Sequence, residues 1–290
     1  MKRLIIALLW VLASADPASA LEFTGRFVQG GLVVGHTVPQ SSVTVDGRAA
    51  RVSDLGEFLV GLARDATGTV AILAISPGGA AERRNVVIEP RKWDIQRVDG
   101  LAQTLVTPPE TELVRIREEA ALVRAARERD SVLTGFRGGF DWPVTGPISG
   151  VFGSQRILNG SPRAFHNGVD VAAPTGSIVR APSDGMVTLA HAGMYFNGKT
   201  VLIDHGHGLS SVYIHMSDIA VTNGQRVSRG DPIGKVGATG RATGPHLHWG
   251  VNLFDVPLDP ALLVPPMPTP PMPTPDEPSL TRNGPAVVQP

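Results

Sequence analysis

Pro245-His-Leu-His-Trp-Gly-Val251 decides how the second half of this chain is read. It is too short for a helix of useful length and carries alternating side-chain types, so it is taken as a β-strand, which puts His246 and His248 on one face. Three further stretches have the same short, β-rich character between glycine turns: Gly185-Met-Val-Thr-Leu-Ala190, Thr200-Val-Leu-Ile-Asp204 and Leu209-Ser-Ser-Val-Tyr-Ile-His215. An antiparallel sheet domain is expected over residues 136–263. In the segment ending at His215, strict alternation puts Ser211, Tyr213 and His215 on a common face, aiming the tyrosine and the histidine at one groove.

Eighty residues before His246, His166-Asn-Gly-Val-Asp170 offers an imidazole and a carboxylate. A catalytic zinc site takes three protein ligands from His, Asp or Glu and leaves its fourth tetrahedral place to water. His166, Asp170 and His248 supply such a set, and with His246 on the same strand face one imidazole is free to face a substrate.

These residues sit within a longer ordered series: Val151-Phe-Gly153, His166-Asn-Gly-Val-Asp-Val-Ala-Ala-Pro-Thr-Gly176, Ala181-Pro-Ser-Asp-Gly185, Val201-Leu-Ile-Asp-His-Gly206, Tyr213-Ile-His215 and Gly240-Arg-Ala-Thr-Gly-Pro-His-Leu-His-Trp249. The series resembles the lysostaphin-like (LytM-type) zinc metallopeptidases, which cut peptide bonds in bacterial peptidoglycan. The resemblance implies one zinc ion held by His166, Asp170 and His248, with His215 and His246 as catalytic histidines and His215 as the base. It also implies a long groove with the metal on its floor, suited to an extended peptide on a glycan mesh. All five positions are filled, which favours a hydrolase over a wall-binding regulator that activates another murein hydrolase. A secreted peptidase for other proteins is the third class. Tyr195 and Tyr213 are the only tyrosines, and neither is assigned to the oxyanion.

The start of the chain reads as an export signal. Lys2 and Arg3 precede the apolar run Leu4–Leu12, and Ala18-Ser-Ala20 offers a cleavage site before Leu21. That run falls well short of the ~20 residues a bilayer span needs. Residues 1–20 are therefore expected as a signal peptide, and the periplasm or cell envelope as the destination. With Cys 0, disulfides contribute nothing to stability even in a compartment that permits them. A formal net charge of +0, from Lys and Arg scattered among acids, gives no basic footprint for nucleic acid. The expected partner is a peptidoglycan peptide, with an envelope protein as a further candidate through the N-terminal domain or the tail.

Residues 21–100 read as a small β domain, a sandwich of immunoglobulin-like type. Asp46-Gly47 suits a two-residue hairpin between Val43-Thr-Val45 and Ala49-Ala-Arg-Val52, and Val70–Ile75 and Val86–Ile88 read as buried strands. His36 is read as a surface or turn histidine and not as a ligand. A linker helix is expected over residues 107–131, capped by Thr107-Pro-Pro-Glu110, with Leu113, Ile116, Ala120 and Val123 as its apolar stripe. It either rests one edge on a neighbouring domain or packs beside the groove and limits access.

His205 and His207 lie in a glycine-punctuated turn and are read as structural. Arg156, Asn159 and Arg163 are candidate rim contacts or ordinary surface residues. Groove loops at Gln155–Pro162 and Tyr195–Lys199 are expected to set specificity. Residues 264–290, with Pro265-Pro-Met-Pro-Thr-Pro-Pro-Met-Pro-Thr-Pro275, are expected as a solvated polyproline-like tail.

Overall fold

The computed structural model describes residues 21–98, 109–158, 161–162 and 164–268. The expected signal peptide and the tail beyond residue 268 lie outside the described residues. The first part of the chain forms seven strands: β1 (Glu22–Thr24), β2 (Leu32–His36), β3 (Ser42–Val45), β4 (Arg48–Ala50), β5 (Glu57–Gly61), β6 (Thr69–Ile75) and β7 (Ala81–Val87). They make two sheets, in the orders β1-β2-β5 and β4-β3-β6-β7. Asp46 and Gly47 turn the β3–β4 hairpin with φ of 47° and 78°, the positive pair that a two-residue turn requires.

Val33, Phe58 and Val60 from the first sheet meet Val43, Val70 and Ile72 from the second in one buried cluster. The two sheets are therefore packed face to face as a sandwich. The expected strand at Val86–Ile88 is displaced. β7 runs from Ala81 to Val87 at the sheet edge and is largely exposed, and only Ile88 beyond it is buried. A short apolar run carries no information about whether its strand is central or marginal.

Next come β8 (Ile95–Val98), helix α1 (Leu113–Arg127), β9 (Ile148–Gly150), β10 (Gln155–Leu158), β11 (Ser161–Pro162), β12 (Val169–Ala172) and β13 (Ile178–Arg180). The chain continues through β14 (Gly185–Met194), β15 (Gly198–Gly206), β16 (Leu209–Met216), β17 (Asp218–Ile219) and β18 (Arg226–Val227). It closes with β19 (Pro232–Lys235), β20 (His246–Leu253) and β21 (Val256–Leu258).

An eight-stranded sheet dominates this half, in the order β18-β14-β15-β16-β20-β12-β9 with β21 added beside β20. One face buries Val187, Val201, Ile203, Tyr213, Leu247, Trp249 and Val251. On the opposite face, Leu189, Leu202, Val212 and Ile214 gather with Val123 and Ala126 of α1. Ile214 stands directly opposite His248 in the β16–β20 register, so α1 lies on the same face of the sheet as the metal-type histidine.

The two halves share a sheet surface. Alternation in β2 and β5 sends Val33, Phe58 and Val60 into the sandwich, while Leu32, Val34 and Leu59 pack on the core of the C-terminal half. β8 also pairs with β10 in parallel, Ile95 opposite Gln155. At the other end, Val264 and Met267 lie against the C-terminal core, and Trp142 Nε1–H donates to the Pro265 carbonyl at 2.8 Å. The start of the segment expected as solvated tail is thus held down, because apolar side chains between its prolines find a surface to cover.

Candidate metal centre

Register builds the site. In the β12–β20 pair, Asp170 stands opposite His248 and Ala172 opposite His246, so the carboxylate and both imidazoles share one face. His166 enters from the loop before β12. Its Nδ1–H donates to the Val151 carbonyl at 3.0 Å, which leaves the Nε2 lone pair for the site. Nε2 then lies 3.1 Å from Asp170 Oδ1 and 2.9 Å from His248 Nδ1, and Asp170 Oδ1 is 2.8 Å from His248 Nδ1.

These three atoms form a group that can hold a metal ion. Ligands at about 2.0–2.1 Å from a tetrahedral zinc stand roughly 3.3 Å apart, so the observed triangle needs to open by only a few tenths of an ångström. The donor set fits. Burial alone would raise the Asp170 pKa, but hydrogen bonds and charge from His166 and His248 outweigh it and hold the carboxyl far below its ordinary range. His248 is pushed down by burial, only partly opposed by Asp170. For His166 burial also pulls down, but the Asp170 hydrogen bond and charge win and raise it.

Two glycines make room for this triangle, and the sequence reading passed over both as ligand supports. A Cβ on Gly150, which pairs with Asp170 across β9–β12, would collide with the Asp170 carboxylate. One on Gly168 would come within 2.8 Å of His248 Nε2. The signal was present, since Gly168 is the third residue of His166-Asn-Gly-Val-Asp170 and Gly150 immediately precedes Val151-Phe-Gly153.

His215 and His246 complete the cluster, with ring centroids 4.8 Å apart, and His215 lies 6.5 Å from the His248 ring. His215 Nδ1–H donates to Thr239 O at 2.9 Å, and His246 Nδ1–H donates to Gly244 O at 2.8 Å. Each imidazole therefore keeps Nε2 free. Burial lowers the His215 pKa to about 4, with the Thr239 hydrogen bond opposing, so the ring is neutral at pH 7.

The expectation that Tyr213 and His215 share a face is corrected. Tyr213 is fully buried in the core, its hydroxyl 2.7 Å from Ser211 Oγ, whereas His215 adopts φ 64° and sets its ring beside His246 and His248. Its backbone N–H donates to Asn197 O at 2.8 Å, which holds that unusual conformation. Tyr213 is thus unavailable to a substrate. Tyr195 lies in the β14–β15 turn, its N–H donating to Glu119 Oε2 of α1 at 2.8 Å.

His205 is structural. Buried, it donates from Nδ1 to Asp184 O and accepts at Nε2 from Ser211 Oγ, both at 2.7 Å. His207 packs edge-on against Phe136. Asn159 and Arg163 lie outside the described residues, and of Arg156 only the backbone is described.

A model of peptidase family M23 matches residues 164–260, a stretch that contains all five groups, His166, Asp170, His215, His246 and His248. Peptidoglycan DD-endopeptidase ShyA of Vibrio cholerae is 45% identical over 103 residues, 35% of this chain and 24% of ShyA. DD-carboxypeptidase/endopeptidase Mpg of Neisseria meningitidis is 41% identical over 103 residues, 35% of this chain and 23% of Mpg. The matched stretch thus spans about a quarter of these curated relatives. A crystal structure from Pseudomonas aeruginosa assigned to the M23 peptidases superposes with a TM-score of 0.63 at 33% identity, covering 82% of this chain and 95% of that one. Because that likeness spans nearly the whole of a chain 33% identical to this one, the chain belongs to peptidase family M23.

Proposed function

We propose that the protein is a zinc-dependent endopeptidase that hydrolyses peptide bonds in bacterial peptidoglycan, at cross-links between stem peptides. The observation that carries the reading is the convergence of His166 Nε2, Asp170 Oδ1 and His248 Nδ1 beneath two imidazoles whose Nε2 atoms are free. When bound, zinc supplies a Lewis acid that polarises the scissile carbonyl and acidifies a water. His166, Asp170 and His248 hold it, and the Val151 carbonyl fixes the tautomer of His166.

His215 and His246 divide the proton work. Since each commits its Nδ1 proton to a backbone carbonyl, neutral imidazole has only a lone pair at Nε2. His215, kept neutral by burial, accepts the proton of the attacking water at Nε2. His246, whose Nε2 lies 3.9 Å from Asp170 Oδ1, faces the same space and lines the side of the site where the tetrahedral oxyanion forms. The names of ShyA and Mpg support a bond between two D-configured centres as the target. Export by residues 1–20 to the periplasm belongs to the same reading. Among the described residues no helix is long and apolar enough to cross a membrane.

The test incubates zinc-loaded protein with isolated sacculi and resolves the muropeptides by chromatography and mass spectrometry, with His248→Ala as control. Cross-linked dimers are expected to fall and monomers to rise, only with zinc and only for the unaltered protein. Folded, zinc-loaded protein that leaves the dimers intact would defeat the endopeptidase reading in favour of a wall-binding regulator.

A further inference from the structure

We propose that Arg64, a residue of the N-terminal sandwich, is a positioning residue that holds the ligand His166 in its metal-binding pose. The inference rests on the zinc reading above and deepens it by assigning part of the site to the other half of the chain. Arg64 lies in the turn after β5, with its side chain only 8% exposed. Its Nε–H donates to the Gly153 carbonyl at 2.9 Å, a contact spanning 89 residues. The guanidinium carbon sits 5.0 Å from the ring centres of both Trp93 and Phe165.

Those contacts fall on the segment that carries His166. Gly153 N–H donates to His166 O and His166 N–H donates to Ser154 O, both at 2.8 Å, while Val151 O receives the His166 Nδ1–H. Phe165 is the residue immediately before the ligand, and its ring packs edge-on against Phe152 at 5.8 Å. Residues 151–154 and 165–166 thus form one small ladder, and Arg64 grips it at both strands, by a hydrogen bond on one and by its planar face on the other. Trp93, itself 5.9 Å from Phe152, closes the far side of the guanidinium.

A buried guanidinium is costly unless its environment is complete. Among the described residues its ion-pair partner is Asp65, at 2.6 Å and with a side chain 70% exposed. The contacts to Gly153 and Phe165 both fall on the His166 segment. Lysine cannot replace them, because an ammonium has no planar face to lie between two rings and no second donor direction toward Gly153.

A double-mutant cycle on the full chain separates positioning from mere packing. Zinc affinity is measured by competition with a chromophoric chelator for the unaltered protein, Arg64→Lys, His166→Ala and the double variant, with apo-protein melting recorded for each. Outer supports of metal ligands typically contribute 10- to 100-fold in affinity, so Arg64→Lys is expected to weaken zinc by about tenfold or more. In the His166→Ala background the same change is expected to alter affinity less than about twofold, since its route to the metal is gone. Equal losses in both backgrounds, or no loss in either, would overturn the proposal. If Arg64→Lys fails to fold, Phe165→Leu, which removes the ring under the guanidinium together with its edge contact to Phe152 and keeps the Gly153 hydrogen bond, is put through the same cycle with the same expectations. Unaltered protein that binds no zinc would defeat the functional reading, whereas zinc binding indifferent to Arg64 defeats only this inference.

Discussion

At the scale of single residues, the site depends as much on atoms that are missing as on ligands that are present. Gly150 is the clearest case, because the Asp170 carboxylate occupies the space where a Cβ would project. Gly150→Ala is therefore expected to push Asp170 out of the ligand triangle and weaken zinc by about tenfold or more, on the scale of lost outer supports. Competition with a chelator measures it, and unchanged affinity in folded Gly150→Ala would show that the carboxylate has slack. His166, Asp170 and His248 were legible as a metal-type set from residue types and spacing, whereas His215 and His246 entered as catalytic groups through the family resemblance. What alternation misplaced was Tyr213 relative to His215, since a single residue at φ 64° flips one side chain across the sheet. Nothing in Tyr213-Ile-His215 announces that backbone, which is held by the Asn197 carbonyl from a neighbouring turn. The supporting glycines were visible as letters, but their purpose appears only with the strand register.

At the scale of elements, α1 does more than connect. Sequence spacing selected Leu113, Ile116, Ala120 and Val123, but Ala120 is exposed, and Glu119 and Ala126 complete the inner stripe. Periodicity counts apolar letters and so passes over a glutamate whose side chain is 12% exposed. That carboxylate accepts from Arg115 Nε on its own helix and from the Tyr195 backbone N–H, both at 2.8 Å. The turn it grips also supplies Asn197 O to His215. The helix rests one edge on β14 and β15, on the sheet face that carries His248. Glu119→Ala leaves the part-buried Tyr195 amide without its acceptor, a loss of about 1 kcal/mol. Turnover is expected to fall several-fold at unchanged zinc content, with a lowered melting temperature. If a folded Glu119→Ala protein cleaves muropeptides at the original rate, α1 is a passive cover and His215 needs no support from it.

At the scale of the whole molecule, the sheet formed by β1, β2 and β5 is covered on both faces, and its outer face belongs to the peptidase half. The sequence showed a β-rich N-terminal region, but not this sharing, because the apolar run Leu32-Val-Val34 carries no sign of what covers each face of its strand. An ion pair closes the same joint. Arg137, in the 3-10 turn at Gly135–Gly138, donates from Nε to Glu57 Oε2 at 2.6 Å, and Ser53 Oγ–H donates to the same oxygen at 2.8 Å. Glu57 is buried; burial would raise its pKa, but Arg137 and Ser53 outweigh that and hold it below the ordinary carboxylate range. Removing one partner of a buried pair costs ~3–5 kcal/mol, and because Arg137 is about a third exposed the lower end or less applies here. Arg137→Met is thus expected to lower stability by roughly 2–3 kcal/mol at pH 7. The sign of the pH dependence follows from the lowered carboxylate: its stabilisation is present above the unfolded-state pKa and is lost as pH falls through the lower folded value. The penalty of Arg137→Met should therefore be greatest near pH 7 and shrink steadily below about pH 4.5, where the variant's Glu57 protonates while the unaltered protein loses its pair. Urea unfolding across that range, repeated in a Glu57→Gln background, reads the effect directly. A penalty that stays constant with pH and survives Glu57→Gln would mean that Arg137 joins the two halves by packing its aliphatic stem, and that charge has no part in the joint.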